Sequence, residues 1–175
     1  MAKNNNYQKE IEERIKKCIS KERMQEGPIA VIECFERIPC NPCEGACPFN
    51  AIKIGEDITN LPILDEKKCK GCGLCIACCP GMAIFVVHLN YSQRESLFTF
   101  PYEFLPVPKI GSVVKGIDRN GKVVTHGRVI KVNESKKNNH TNIISIAIPK
   151  KFINSVRGIK IENHELSKGN RKDAE

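Results

Sequence analysis

The chain has 175 residues, enough for one domain or two small ones, and ten of them are cysteine. Its formal charge of +8 includes the adjacent pairs Lys136-Lys137 and Lys150-Lys151, but no aromatic-and-basic motif accompanies them, so no nucleic-acid partner is expected. The stretch MAKNNNYQKEIEERIKK has no apolar signal-peptide core and no apolar run reaches membrane-spanning length, so a cytoplasmic protein with reduced, metal-ligating thiols and no membrane span is expected.

Residues 7–25 read as a helix. Tyr7, Ile11, Ile15, Cys18 and Ile19 fall at helical spacing, with Glu and Lys between them, and Gly27-Pro28 stops the run. Cys18 lies on the apolar stripe and is assigned to core packing. PIAVIE (residues 28–33) reads as a strand. So do LPILD (61–65), residues 51–54 and residues 83–89. These segments repeat with a shift of 32 residues. Cys40 falls on Cys72, Cys43 on Cys75, Cys47 on Cys79 and Pro48 on Pro80. Arg37, however, falls on Cys69. The plan of each half is strand, cysteine loop, short helix ending at Cys-Pro, strand, which marks a duplication. GEDITN (55–60) is the polar connection.

From about Tyr91 the chain holds no cysteine. In LFTFPYEFLP, residues Phe98, Phe100, Tyr102 and Phe104 alternate. That pattern suits an extended segment packed on its own core or on a partner subunit. SVVKGI, KVVTHGRVIKV and NIISIAI read as strands, and DRNG (118–121) as a hairpin turn. ESKKNNH reads as an exposed loop. The tail from about Gly158 is polar and is expected to fray. The expected organisation is an N-terminal helical segment (1–27), a cysteine-bearing domain (28–90), a β-rich partner-docking domain (91–160) and a flexible tail (161–175). The fold class is α+β.

The second cysteine motif is Cys69-x2-Cys72-x2-Cys75-x3-Cys79-Pro80, the ligand run of bacterial cluster-binding ferredoxins. Three thiolates spaced two residues apart wrap one face of a cubane on a tight turn. Gly71 and Gly73 let the backbone approach and aim amides at sulfur. The fourth cysteine leaves on a short helix and ligates the other cluster. On that logic Cys69, Cys72 and Cys75 take Cys47 as fourth ligand. The first site has Cys40, Cys43 and Cys79 and lacks one. Cys34, three residues before the missing position, is the candidate, with FERIP looping outward at small cost in closure entropy. Its rivals are a [3Fe-4S] cluster on Cys40, Cys43 and Cys79, or a non-cysteine ligand such as Glu36 or solvent. Cys34 would then be a buried strand-end thiol. Cys78, next to Cys79, reads as a packed thiol. A zinc-binding structural module on Cys40, Cys43, Cys72 and Cys75 is the competing metal reading, and it leaves Cys47, Cys69 and Cys79 unexplained. Ile32, Ile38, Ile52, Ile54, Ile63, Leu74, Ile76, Ile84 and Val86 are the residues expected to keep the sites dry.

Residues 28–89 resemble the 2[4Fe-4S] bacterial ferredoxin domain through CKGCGLCIACCPGMAI and, less regularly, CNPCEGACPFNAI. The resemblance implies a dicluster βαββαβ fold that passes single electrons between partners. The whole chain, through IECFERIPCNPCEGACPFNAI and GSVVKGIDRNGKVVTHGRVIKV, is similar to the small iron–sulfur subunits of multi-subunit FAD-dependent amine and amino-acid dehydrogenases, of the proline dehydrogenase, opine oxidase and cyanide synthase type. That implies FAD- or FMN-containing dehydrogenase partners in a hetero-oligomer. A free-standing dicluster ferredoxin is the alternative. No catalytic residue is expected, because no GxGxxG follows a strand and His88, His126, His140 and His164 sit in no ligand pattern.

Overall fold

A computed structural model describes residues 13, 15, 17–134, 138 and 141–161. The helix expected over 7–25 is in two pieces. Residues 13, 15, 17 and 18 are helical, and α1 (Lys21–Glu26) starts afresh after Ser20. Ser20 is the cause: its hydroxyl accepts the Arg23 N–H at 3.1 Å, an N-cap that ends one helix and begins the next. Tyr7, Ile11, His140, His164 and Lys136-Lys137 lie outside the described residues. Among the described residues no helix is long and apolar enough to cross a membrane.

Next come β1 (Ile29–Ile32), α2 (Pro42–Gly45), β2 (Ile52–Lys53), β3 (Ile63–Leu64), α3 (Leu74–Ala77) and β4 (Ile84–His88). β1 pairs antiparallel with β4, Ile32 opposite Ile84, and β2 with β3, Ile52 opposite Leu64. The 32-residue repeat is written into the backbone as well. Asn50 and Met82 are equivalent, and both have φ +49°, a region that side chains such as methionine seldom enter. The Asp65 N–H donates to Ala51 O at 2.7 Å, and the equivalent Glu33 N–H donates to Ala83 O at 2.8 Å.

The rest of the chain adds β5 (Glu95–Tyr102), β6 (Val113–Ile117), β7 (Val123–Asn133), β8 (Asn142–Pro149) and β9 (Gly158–Lys160). All of these join β1 and β4 in one sheet, ordered β1-β4-β5-β8-β7-β6-β9, with every pairing antiparallel. The boundary expected at residue 90 therefore falls in a turn between two paired strands. The DRNG turn closes β6 to β7, with Asp118 N–H donating to Lys122 O at 2.9 Å and Gly121 at φ +77°.

The sheet curls. Laid flat, seven strands would hold their edges roughly 29 Å apart. Yet Glu33, just after β1 at one edge, contacts Arg157, just before β9 at the other, at 2.8 Å. Phe98, Phe100, Ile144, Ile146, Ile148, Val114, Val129 and Val156 are buried in the core. β8 is buried from Ile143 to Ile148 on both faces, because α3 packs against β5 and β8. The aromatic stripe divides. Phe98, Phe100 and Tyr102 pack inside, while Phe104 is 70% exposed where the strand has ended. Gly158–Lys160, expected to begin the tail, instead pairs with β6, and residues 162–175 lie outside the described residues.

Candidate metal centres

The second cysteine loop runs from Asp65 into α3. Asp65 organises its start: its carboxylate accepts the Lys67 and Lys68 N–H groups at 3.1 and 3.3 Å, and its carbonyl accepts Cys69 N–H at 3.1 Å. The chain then passes tightly by Pro28. A Cβ on Gly71 would fall 2.4 Å from the Pro28 carbonyl oxygen, and Gly71 has φ +61°. Only glycine fits both constraints. Cys69, Cys72 and Cys75 line one cavity, of about 320 Å³ counting its mouth, and Cys47 from the other half of the repeat lines it too. Ala30, Ile52, Leu64, Phe49 and Leu74 complete its wall. Cys69 and Cys75 are buried and Cys72 is exposed.

The first loop leaves β1 at Glu33. Cys34, Cys40, Cys43 and Cys79 line a second cavity, of about 390 Å³ counting its mouth, with Ile32, Ile38, Ile54 and Ile84. Glu36 also lines it. Glu36, Arg37, Ile38 and Pro39 are all exposed, so this segment lies outward. The eight cysteines thus divide four and four, and Cys47 and Cys79 each cross to the cavity of the opposite repeat. Cys78 lines neither cavity; its thiol donates to Cys75 O at 3.3 Å. Cys18 lines neither cavity; it lies with Ile15 and Ile19 in an apolar pocket that shares Ile32 and Pro62 with the first cavity and Leu64 with the second. Ile63 is a correction to the expected apolar lining. It is exposed, because strand alternation turns Leu64 inward in its place.

Backbone amides point at sulfur. Ala51 N–H reaches Cys47 Sγ at 3.3 Å, Ala83 N–H reaches Cys79 Sγ at 3.4 Å, and Ala30 N–H reaches Cys69 Sγ at 3.5 Å. The first two are equivalent in the repeat. Burial pushes the Cys43 thiol up to about 12, with the neighbouring Cys78, Cys79 and Cys40 adding to the rise. Burial, then Cys69, Cys78 and Cys72, also pushes Cys75 upward. Bare thiolates are therefore unwelcome here, and positively charged metal must offset them before they gather. Donor set, apolar walls and sulfur-directed amides all fit an iron–sulfur core. Among the described residues no three His, Cys, Asp or Glu side chains stand close enough to hold a single metal ion. The zinc alternative requires Cys40 and Cys43 beside Cys72 and Cys75, and these pairs line different cavities.

Part of this chain is similar to ferredoxin-type iron–sulfur proteins. It is 53% identical over 38 residues, 22% of this chain and 11% of the relative, to a subunit of the Na+-translocating ferredoxin:NAD+ oxidoreductase complex of Acetobacterium woodii. It is 39% identical over 54 residues, 31% of this chain and 28% of the relative, to a polyferredoxin-like subunit of an aliphatic sulfonate oxidoreductase of Pyrococcus furiosus. It is 37% identical over 59 residues, 34% of each chain, to an uncharacterized ferredoxin of Methanocaldococcus jannaschii. The chain thus spans 11% to 34% of the length of these relatives. No family model and no solved structure matches it.

Two supports of the cysteine loops come from outside residues 28–90 or reach beyond them, and spacing does not signal either. Arg23 on α1 donates to Cys69 O at 2.8 Å, Pro28 O at 3.0 Å, Glu66 O at 3.1 Å and Gly27 O at 3.4 Å. It ties the second loop to the N-terminal segment. Glu33, beside Cys34, is held by Arg157 and Arg119. An arginine inside a polar helix and a Glu at a strand end carry no sequence mark of such roles.

Proposed function

We propose that this chain is an iron–sulfur electron-transfer subunit, with two [4Fe-4S] cubanes in a dicluster ferredoxin-like unit and a flavin-containing dehydrogenase as partner. The sorting of eight cysteines, four to a cavity and each set completed from the opposite repeat, carries the reading. Cys34, Cys40, Cys43 and Cys79 hold the first cluster, and Cys69, Cys72, Cys75 and Cys47 the second. The cubane, when bound, supplies reversible one-electron chemistry. The chain's own part is to position and tune. Ile32, Ile54 and Ile84 exclude water at the first site, as Ile52 and Leu64 do at the second. The Ala30, Ala51 and Ala83 amides stabilise negative charge on sulfur and so raise the potential.

The partner reading rests on surface and on analogy. Phe104, Leu105 and Ile110 are exposed on the segment between β5 and β6, the kind of apolar patch that marks a protein contact. By name, one relative is a subunit of an oxidoreductase complex and another is a subunit of an oxidoreductase. One-electron centres beside a two-electron flavin suit a bridge to a further acceptor.

Anaerobic purification followed by iron and sulfide analysis tests the cluster reading. The expected result is about eight irons and about eight sulfides per chain, the content of two cubanes. One zinc and no sulfide would end it. Anaerobic capture from the native cell tests the partner reading: a flavoprotein should come with the chain, and a monomer with no flavin favours a free-standing ferredoxin.

A further inference from the structure

Glu33 and Asp65 occupy equivalent positions, and each precedes its loop's leading cysteine. They do different things. Asp65 caps its own loop, binding the Lys67 and Lys68 amides and bringing Cys69 N–H onto its carbonyl. The second copy thus fixes its leading cysteine locally. In the first copy the leading cysteine has moved to Cys34, adjacent to Glu33, and the carboxylate turns elsewhere. Strand alternation sends the side chains of Ile32 and Cys34 to the first cavity and that of Glu33 to the opposite face.

There Glu33 meets two arginines from the far end of the chain. Arg157 Nε donates to both carboxylate oxygens at 3.0 and 3.1 Å, and its NH2 lies 2.8 Å from Oε1. Arg119 pairs with the other oxygen, Oε2. Arg157 is itself anchored, donating to Val156 O at 2.6 Å and Ile153 O at 3.3 Å, with its guanidinium 5.8 Å from the Phe85 ring centre. Glu33 is only 7% exposed. A carboxylate so buried and so held has one position, because moving it leaves an unpaired charge inside the protein. The residue next to it has little latitude either.

We infer that the Arg157–Glu33–Arg119 cluster is a positioning device that holds Cys34 at the first site and so sets whether that site keeps a fourth iron. The β-rich C-terminal half is then part of the first metal centre, as well as a surface for partners. The device explains how an irregular six-residue loop, from Cys34 to Pro39, presents a ligand reliably. This inference rests on the two-cluster reading above.

The test uses the full chain, loaded anaerobically, as wild type, Glu33→Gln, Arg157→Gln and the milder Arg119→Gln. Each is titrated with ferricyanide and followed by iron analysis and EPR. A [4Fe-4S]2+ core that gives one electron to ferricyanide and releases one Fe2+ leaves [3Fe-4S]+, which is paramagnetic where the parent core is silent. Glu33→Gln and Arg157→Gln should form this signal at least tenfold faster than wild type and settle at about seven irons per chain. Arg119→Gln should fall between. The second cluster, whose leading cysteine depends on Asp65, should keep its reduced EPR signal unchanged in all three. Three-iron signal at the wild-type rate in Glu33→Gln and Arg157→Gln overturns the inference. So does loss of both clusters together in Arg119→Gln, which would assign the arginines to general stability. A wild type without two cubanes would instead overturn the reading on which this one rests.

Discussion

Gly71→Ala isolates the close approach on which the second cysteine loop depends. Its added Cβ would lie 2.4 Å from the Pro28 carbonyl oxygen, 2.5 Å from the carbonyl carbon and 2.7 Å from Pro28 Cβ. All are backbone or ring-bound atoms that cannot swing aside. The left-handed backbone at φ +61° costs alanine on the order of 1–2 kcal/mol. Forcing the two segments apart adds about 1–3 kcal/mol. A combined loss of roughly 2–5 kcal/mol lowers Tm by roughly 4–20 °C in a chain of this size. The damage is directed. Pro28 leads into β1, where the Ala30 amide reaches Cys69 Sγ, so the second site should fail first. Iron analysis should read about four per chain against the about eight expected of the parent. Two controls divide the cost. Gly121→Ala meets no atom within 4 Å but has φ +77°, so it carries only the backbone term. Gly45→Ala meets neither penalty. Thermal unfolding of the three loaded variants, side by side, checks the ranking. If Gly71→Ala matches Gly121→Ala in Tm and keeps all its iron, the contact with Pro28 does not matter and the reasoning is wrong.

Cys34→Ala should yield about seven irons and a three-iron EPR signal from the first site alone, whereas Cys78→Ala should keep about eight; identical spectra from the two variants would remove Cys34 from the ligand set. Arg23→Gln severs the four carbonyl contacts of α1 and leaves buried acceptors unpaired, at about 1–3 kcal/mol. Chelator-driven iron loss should quicken at the second site and not at the first. Leu105→Asp, at a side chain 89% exposed, should leave Tm and iron content unchanged and weaken anaerobic capture of the flavoprotein; undiminished capture would place the docking surface elsewhere.

The parts of this molecule that are legible in the sequence are those fixed by short-range pattern. Cysteine spacing, the 32-residue repeat, the Gly71 turn and the DRNG hairpin depend on neighbours in the chain. The inward side of β3 is harder, since a two-residue strand gives alternation almost nothing to register, and the pattern points to Ile63 where Leu64 faces the cavity. Ser20 looks like one more polar residue on a helix, because capping depends on geometry that a stripe of apolar positions hides. The continuity of β4 with β5 and β8 is out of reach. Both faces of β8 are apolar, and nothing in such a run names its neighbours. The contact of Glu33 with Arg157 spans 124 residues and follows from the curl of the whole sheet.

The two copies of the cysteine motif therefore share a backbone and differ in how they are supported. At Asn50 and Met82, Ala51 and Ala83, and Cys47 and Cys79, the repeat is kept to within about a tenth of an ångström in its amide-to-sulfur bonds. These positions carry the crossed cysteines, Cys47 and Cys79, each of which lines the cavity of the opposite repeat. The copies part at their leading cysteines. The second retains a local turn built on Asp65 and is clamped from the N-terminal side by Arg23. The first has given up its local turn and is clamped from the C-terminal side through Glu33.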